Sequence, residues 1–303
     1  MVEDLVDIIG EGFDTWKNNL VICLPFIFNT VITSVVAAAI MGSAILISIP
    51  ELISFFESAE ISPGAIVQIF PEILQSTSLI ITATIITMIL SLLISAFFTS
   101  GAIGMAKEAT KSGRADLSDM GEYGRRKYIN LFFANIIITL LTFAGFIFII
   151  PGLLNLIPIL TASVNPEFVD LLPALPLLVL GILAAVAYIL VISILFAPSR
   201  YAIVIDDLGA IEGLKEGFRF FMENKVEVFL LFIIVIAAMA IPAFFSSIPY
   251  IGGIISMIIT LLIIQPLVVI WWSRLYLDIK KTVEANDSQN SQSDNLESVT
   301  PTP

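Results

Sequence analysis

The chain has 303 residues, of which 58% are hydrophobic and only 13% are charged. A soluble domain carries roughly 25% charged residues, so lipid must be the solvent for much of this chain. The net charge of −12 argues against nucleic acid as a partner, because phosphates are bound by Lys and Arg. The chain has no histidine and a single cysteine, Cys23, which excludes an internal disulfide. We therefore expect no metal and no cofactor.

The first predicted element is an amphipathic helix over residues 2–19. Its apolar residues, from Val2 to Trp16, recur at helical spacing, and acidic residues occupy the other side. Because the helix carries too many charges to span a membrane, we expect it to lie in the interface. The acidic N-terminus has no small-residue cleavage site, so we expect no cleaved signal peptide.

Farther along the chain, long runs without charge predict six transmembrane helices, and hence an all-α, polytopic membrane protein. The predicted spans are residues 20–49, 78–105, 129–150, 172–197, 228–246 and 251–271. The third charge-free run is broken by Pro151-Gly152, and its remainder is predicted to be an outer loop. We assign residues 1–283 to one membrane domain. The polar, low-complexity residues 284–303 are predicted to be a disordered tail.

The basic residues predict the orientation of the chain. All fourteen Lys and Arg fall at residue 17, in the loops 107–127 and 200–225, and in the C-terminal flank 274–281. The alternate loops, residues 50–77, 154–171 and 247–250, contain none. With six spans, the positive-inside rule predicts that both termini are on the cytoplasmic side of the cell membrane.

Three segments share a Glu and an Asn eight residues apart, each ahead of a predicted span. They are Glu11/Asn19, Glu122/Asn130 and Glu216/Asn224. The spacing predicts three parallel repeats, each an amphipathic interfacial helix followed by a helical hairpin. The alternative, a chance similarity of helix-to-span junctions, stays open. In either case we interpret the Glu as a residue of the solvated face and the Asn as a junction cap.

Few side chains suggest a functional site, because no predicted span contains an ionisable residue. Asn29, Asn135 and Gln265 lie within spans and are predicted either to line a polar cavity or to form interhelical hydrogen bonds. Asp206 and Asp207 precede an amphipathic helix, and we interpret them as its N-cap or as a site in a cytoplasmic loop. A metal-dependent phosphotransfer site would need further carboxylates. No catalytic constellation is therefore predicted.

The segment FAPSRYAIVIDDLGAIEGLKEGFRFFMENKVEVF, residues 196–229, carries a resemblance to known families. A proline near the end of the fourth span, the short acidic and glycine-containing element, an aromatic residue and an asparagine are its similar features. They resemble the membrane domain attached to some glycerophosphoryl diester phosphodiesterases and the YciC-like inner-membrane proteins. The resemblance implies a six-helix membrane domain. It implies no hydrolytic activity, because the sequence lacks the soluble barrel and its hydrolytic residues.

Two functions follow as hypotheses. The first is a non-enzymatic membrane protein that binds or organises lipid or a membrane partner at the cytoplasmic face, where each Lys or Arg attracts anionic headgroups by about 1 kcal/mol. The second is a carrier or channel for a small neutral or lipidic solute through a pseudo-threefold bundle. The expected partners are membrane lipid, a membrane protein or a second copy of the chain. A membrane-embedded enzyme is a third alternative.

Overall fold

The structure, a computed structural model, describes residues 5–48, 77–162, 172–173 and 175–297. These residues form helices joined by short turns, and none of them forms a strand. Two 3₁₀ turns, Leu20–Cys23 and Gly145–Phe148, and one π-helical turn, Thr260–Ile264, connect some of the helices. The helices are α1 (Leu5–Asn18), α2 (Leu24–Ser48), α3 (Thr77–Ser112), α4 (Leu117–Ala144), α5 (Ile150–Ala162), α6 (Leu175–Phe196), α7 (Ser199–Ile205), α8 (Ala210–Glu223), α9 (Lys225–Ser246), α10 (Gly252–Ile259) and α11 (Gln265–Glu297).

In the part of the chain that the structure describes, six helical segments are long and apolar enough to cross a membrane, as the six predicted spans require. This finding supports a membrane location for the chain. The segments are Leu20–Ser48, Thr77–Ser112, Leu117–Phe148, Leu175–Ile205, Lys225–Ser246 and Gly252–Val283.

The third of these segments begins earlier than predicted. We expected an interfacial helix followed by a separate span from residue 129, but α4 is continuous from Leu117 to Ala144. The Asp119 carboxylate accepts a hydrogen bond of 2.8 Å from the backbone N–H of Asp116, which supports the start of the helix. No proline occurs between Leu117 and Ala144, so the polar first turns and the apolar remainder form one continuous helix.

The outer loop predicted after Pro151 is wrong for its first part, because residues 150–162 form α5. Pro151 lies in the first turn of this helix, where a missing N–H breaks no helical hydrogen bond. The Asn155 side chain donates a hydrogen bond of 2.9 Å to the carbonyl of Pro151. Residues 163–171 of the predicted loop lie outside the described residues.

The polar C-terminal segment also differs from its prediction. Helix α11 continues to Glu297, well past residue 284, where we expected a disordered tail to begin. No Gly or Pro occurs between residues 284 and 297, so nothing in the sequence stops the helix there. Residues 298–303 lie outside the described part of the chain.

The core lies toward one end of the bundle. Its fully buried side chains come from α1, α3, α4, α7, α9 and α11, as with Ile103, Leu131, Ile203 and Leu275. The opposite halves of the long helices expose many large apolar side chains, as expected for surfaces that meet lipid. The well-packed end also carries the charged residues, and it therefore holds the groups from which a site could form.

Candidate functional site

The segment Ile205–Gly209, which we name the clasp, links α7 to α8 at the packed end of the bundle. Asp207 has a φ of 63°, in the left-handed region that few non-glycine residues adopt. The two adjacent carboxylates of the clasp contact different helices. Asp206 contacts α11 and Asp207 contacts α4.

The Asp206 carboxylate accepts two short hydrogen bonds from α11. The hydroxyl of Tyr276 donates at 2.6 Å and the ammonium of Lys280 at 2.5 Å, both to Oδ2. The Asp206 side chain is only 15% exposed, and Tyr276 is almost completely buried. Charge-assisted hydrogen bonds in such surroundings are stronger than those between neutral groups.

The Asp207 carboxylate pairs with two consecutive basic residues of α4. Its Oδ1 lies 2.6 Å from Nζ of Lys127 and 3.0 Å from the guanidinium of Arg126. The hydrogen bond from Lys127, with the positive charges of both residues, holds the pKa of the Asp207 carboxyl below its usual range. The Lys127 side chain is only 6% exposed, so Asp207 neutralises a buried ammonium group.

Side chains of neighbouring helices also donate hydrogen bonds to the backbone carbonyls of the clasp. The Lys107 ammonium donates to the carbonyl of Ile205 at 3.1 Å, and the Asn130 amide donates to the carbonyl of Leu208 at 3.3 Å. The Ile205 carbonyl is at the C-terminal end of α7 and the Leu208 carbonyl lies just after it, where the helix supplies no further N–H donors. Protein donors therefore occupy both the carboxylates and these carbonyls, so the clasp joins α3, α4 and α11 rather than offering an open catalytic site.

The predicted N-cap role of Asp206 and Asp207 is wrong. Gly209 is the N-cap of α8, and its backbone N–H donates to the carboxylate of Glu212 at 3.2 Å. The two aspartates lie farther upstream, where tertiary partners capture them. No local sequence signal identified Lys127, Tyr276 or Lys280 as those partners.

Helix α1 is docked against α11 by polar contacts at the same end. Arg274 pairs with Glu11, and the indole N–H of Trp271 donates to the carbonyl of Ile9 at 3.3 Å. Farther along α1, the indole N–H of Trp16 donates to the carbonyl of Leu262 at 2.9 Å. We name this end of the bundle, defined by the clasp, its partners and the Glu11–Arg274 pair, the basic end.

The Leu262 carbonyl is available because of the proline that follows it. In an α-helix it would accept from the N–H of residue 266, but Pro266 has no N–H. A π-helical turn, Thr260–Ile264, is found at this position. The Cys23 thiol also contacts the Leu262 carbonyl, at 3.2 Å, so α1 and the turn after it supply both donors.

The three polar residues of the predicted cavity lie on α2, α4 and α11. No hydrogen bond joins Asn29, Asn135 or Gln265 to another of the three within the described ranges. The amide oxygens of Asn29 and Asn135 are buried and accept no hydrogen bond there. Five cavities in this part of the chain are lined by other residues. A central polar cavity therefore stays a prediction.

One of those cavities contains Arg200, whose only predicted role was as one of the basic residues that orient the chain. The cavity has a volume of about 230 Å³ and lies between α4, α6, α7, α9 and α11. Within the described residues, Arg200 forms neither an ion pair nor a hydrogen bond. A signal was available, because no acidic residue occurs between Phe196 and Val204. Besides Arg200, the cavity is lined by the hydroxyl-bearing Ser193 and Tyr201 and by side chains that are mostly apolar, Ile138, Phe196, Ala197, Phe232, Val268 and Trp272.

The two amphipathic helices at the basic end have apolar residues on two sides. On α1, Ile8 and Gly12 are buried, whereas Val6 and Phe13 are exposed. On α8, Leu214 and Gly217 are among the buried residues. The exposed apolar residues of α8 are Ile211, Phe218 and Met222. Each helix thus packs on the bundle with one side and leaves a second apolar stripe uncovered.

Comparisons with known proteins give a family without an assigned activity. An uncharacterized protein from Archaeoglobus fulgidus is 28% identical over 300 residues, which cover 92% of this chain and 97% of the relative. No solved structure matches the chain. The matches give no support to the resemblance to phosphodiesterase membrane domains or YciC-like proteins. A family model described as "Domain of unknown function (DUF7847)" matches residues 35–251, more than half of the chain, and the chain belongs to this family.

Proposed function

We propose that the protein is a non-enzymatic membrane protein that binds and organises anionic lipid at its basic end. The observation that carries this proposal is the pair of uncovered apolar stripes on α1 and α8, which lie at the end that holds the basic side chains. Apolar stripes beside Lys and Arg are typical of helices that lie in the headgroup region. Exposed basic residues outside the ion pairs described above, such as Lys111, Arg125 and Lys215, would attract anionic over zwitterionic lipid there by about 1 kcal/mol each.

The same proposal includes the orientation of the chain. We infer that the basic end faces the cytoplasm of a cell membrane and that both termini lie there, because loops with Lys and Arg remain inside. A reporter fused to the C-terminus that is active only outside the cell would contradict this orientation. Membrane lipid is the partner that the charge pattern favours, ahead of a membrane protein or a second copy of the chain.

We also propose that the first and last thirds of the membrane domain are repeats. In support, α1 and α8 each have 14 residues, and each is followed by an asparagine and then by a span. Val6 and Ile211 are exposed at equivalent positions, as are Phe13 and Phe218, when Glu11 is aligned with Glu216. The middle copy rests on the Glu122–Asn130 spacing, because its amphipathic part is continuous with α4.

The test is the lipid that surrounds the full chain after extraction. The protein is reconstituted in vesicles of equal parts phosphatidylglycerol and phosphatidylcholine, extracted with a disc-forming copolymer, and its lipids are quantified. We expect phosphatidylglycerol to be enriched over the bulk ratio. Replacement of Phe13 and Phe218 together by Ser should lower that enrichment, whereas Phe244→Ser, an exposed phenylalanine at the far end of α9, should not. A bulk ratio around the wild-type protein would contradict the proposal.

A further inference from the structure

We infer that the Arg200 cavity binds one anionic phospholipid, whose phosphate pairs with the Arg200 guanidinium and whose first methylenes lie against the apolar wall. This inference rests on the proposed function for the identity of the partner. It adds a defined site with a stoichiometry of one, distinct from the lipid that collects around α1 and α8.

The charge of Arg200 is the first step of the argument. Arg126, Lys127, Arg274 and Lys280 all pair with carboxylates of the basic end. Arg200 has no such partner in the residues that the structure describes, and its exposed side chain lies in Leu175–Ile205, a segment apolar enough to cross a membrane, with apolar side chains beside it. An unpaired charge in such surroundings is costly, so an anion from outside the chain would stabilise it.

The other exposed basic residues without a pairing partner do not share this environment. Lys215 and Lys225, for example, are exposed on α8 and at the start of α9, and neither lines the cavity. Water and mobile counterions can satisfy them. Arg200 differs because its neighbours in the cavity are Phe196, Phe232 and Trp272, none of which carries a charge.

The shape of the cavity favours the head of a lipid over a whole small molecule. Its volume of about 230 Å³ is below the roughly 300 Å³ at which ligand pockets usually begin. A phosphate and the first part of an acyl chain fit such a space, and the remaining chain can run along the exposed apolar surface of α9. Phe229 and Ile236, three residues before and four residues after Phe232, are exposed and provide that surface on the same face of the helix.

The depth of Arg200 agrees with a headgroup. It lies five residues before Ile205, so the polar clasp begins about 8 Å away along α7 at 1.5 Å per residue. On the other side lies the apolar part of the spans. Tyr201 stacks on Trp272 with ring centroids 6.0 Å apart, and both residues line the cavity. An arginine at this boundary is suited to phosphate because its planar fork donates two parallel hydrogen bonds.

Native mass spectrometry of the full chain tests the site. The protein is exchanged into detergent with phosphatidylglycerol or with phosphatidylcholine, and the lipid molecules retained per chain are counted across a concentration series. We expect one tightly held phosphatidylglycerol in the wild type. Arg200→Gln should weaken its binding by about tenfold or more, because a charge-assisted pair is lost. The matched control Lys225→Gln removes an equal charge outside the cavity and should retain the lipid.

A second variant tests the apolar wall without touching the arginine. Ser193 lines the cavity from α6, and Ser193→Leu fills part of it. We expect this variant to lose the bound lipid while its thermal stability stays near that of the wild type. Retention of the lipid by both Arg200→Gln and Ser193→Leu would overturn the inference. It would leave the proposed function intact if phosphatidylglycerol still collected around the protein.

The last arm separates a lipid from a free anion. Inorganic phosphate is added at millimolar concentration to the wild-type protein with its bound phosphatidylglycerol. We expect the lipid to stay bound, because phosphate cannot replace its contacts with Phe232 and Val268. Displacement of the lipid by phosphate would show that the cavity is a plain anion site and would overturn the inference. A wild type that prefers no anionic lipid would contradict the proposed function itself.

Discussion

Asn19 and Asn224 adopt nearly the same backbone conformation at the junctions where α1 and α8 give way to a span. Asn19 has φ −132° and ψ 53°, and Asn224 has φ −126° and ψ 49°. In both, the side-chain amide donates to the carbonyl four residues earlier, at 3.0 Å. Asn19 makes two further hydrogen bonds, donating to the carbonyl of Gly113 at 3.2 Å and accepting from the N–H of Ala115 at 2.8 Å.

This difference predicts unequal costs for the same substitution. Asn19→Ala should lower the free energy of unfolding by about 2–4 kcal/mol, because the buried N–H of Ala115 is left without its acceptor. Asn224→Ala loses a single local hydrogen bond and should cost about 1 kcal/mol. Denaturant titration of both variants in mixed micelles measures the two values. Equal costs would show that the link to the α3–α4 turn is not important.

The two clasp aspartates should also differ. Asp206→Ala leaves Tyr276 and Lys280 without their shared acceptor and should cost about 2–3 kcal/mol. Asp207 is 58% exposed, so solvent screens its ion pairs, and Lys127 would still donate to the Leu208 carbonyl at 3.4 Å. Asp207→Ala should therefore cost about 1 kcal/mol or less. Tyr276→Phe removes one of the two donors and should fall between them. The same unfolding titration compares all three, and a larger effect at Asp207 would contradict this order.

Asp207 further predicts a dependence on pH. Its pKa is lower in the folded chain than the ordinary value near 3.9, so its ion pairs stabilise the fold above that value. This contribution is lost as the pH falls through the lower, folded-state pKa. At pH 7 the wild type should therefore be more stable than Asp207→Asn, and the difference should shrink below about pH 4. A difference that stays constant from pH 7 to pH 2.5 would contradict the assignment.

Gly217 allows α8 to approach α7 closely. A methyl group at this position would collide with the backbone and hydroxyl of Ser199, and backbone atoms cannot move aside as a side chain can. Gly217→Ala should therefore lower the free energy of unfolding by about 1–3 kcal/mol or more. Gly10 on α1 has open space around it, so Gly10→Ala should be neutral or stabilise α1 by up to about 1 kcal/mol. Melting curves of the two variants provide the comparison.

The contact of Trp16 with Leu262 can be tested through the only cysteine of the chain. Trp16→Phe removes the indole donor, and we expect the buried Cys23 thiol to react faster with a maleimide because α1 detaches more often. Pro266→Ala returns a backbone N–H to α11 and so supplies the Leu262 carbonyl with a helical donor. Trp16→Phe should then matter less in the Pro266→Ala background. A double-mutant cycle without coupling would contradict this account.

Composition was sufficient to predict the spans, because charge-free runs of about 20 residues have few alternatives to a membrane helix. The amphipathic nature of α1 and α8 also followed from local periodicity. The helix over residues 150–162 could not be predicted from local periodicity. A proline in the first turn of a helix and a proline that ends a helix look alike in sequence. The continuity of α4 was missed for a similar reason, as a change of polarity was taken for a break.

The contacts of the clasp aspartates join residues far apart in sequence, so no local sequence pattern predicts them. Asp206 and Lys280 are 74 residues apart in sequence, and Asp207 and Lys127 are 80 residues apart, so their pairing appears only in the folded chain. From the sequence alone, the two adjacent aspartates were interpreted as a helix N-cap. For Arg200 the error was the reverse: a residue with a distinctive environment was predicted to be an ordinary basic residue. It counted as one basic residue among fourteen. The sequence shows that no acidic residue is near it along the chain, but only the packed helices show that no carboxylate of another described helix pairs with it.

The docking of α1 on the last span has a consequence for biosynthesis. The residues that receive Trp16 and Glu11 lie about 250 positions later in the chain, so they emerge from the ribosome after every other span. The first helix to be made therefore has no docking partner until the sixth apolar segment has been synthesised. A chain truncated before Leu262 would leave α1 permanently undocked, and quality-control proteases could recognise an unfinished molecule by that exposed helix.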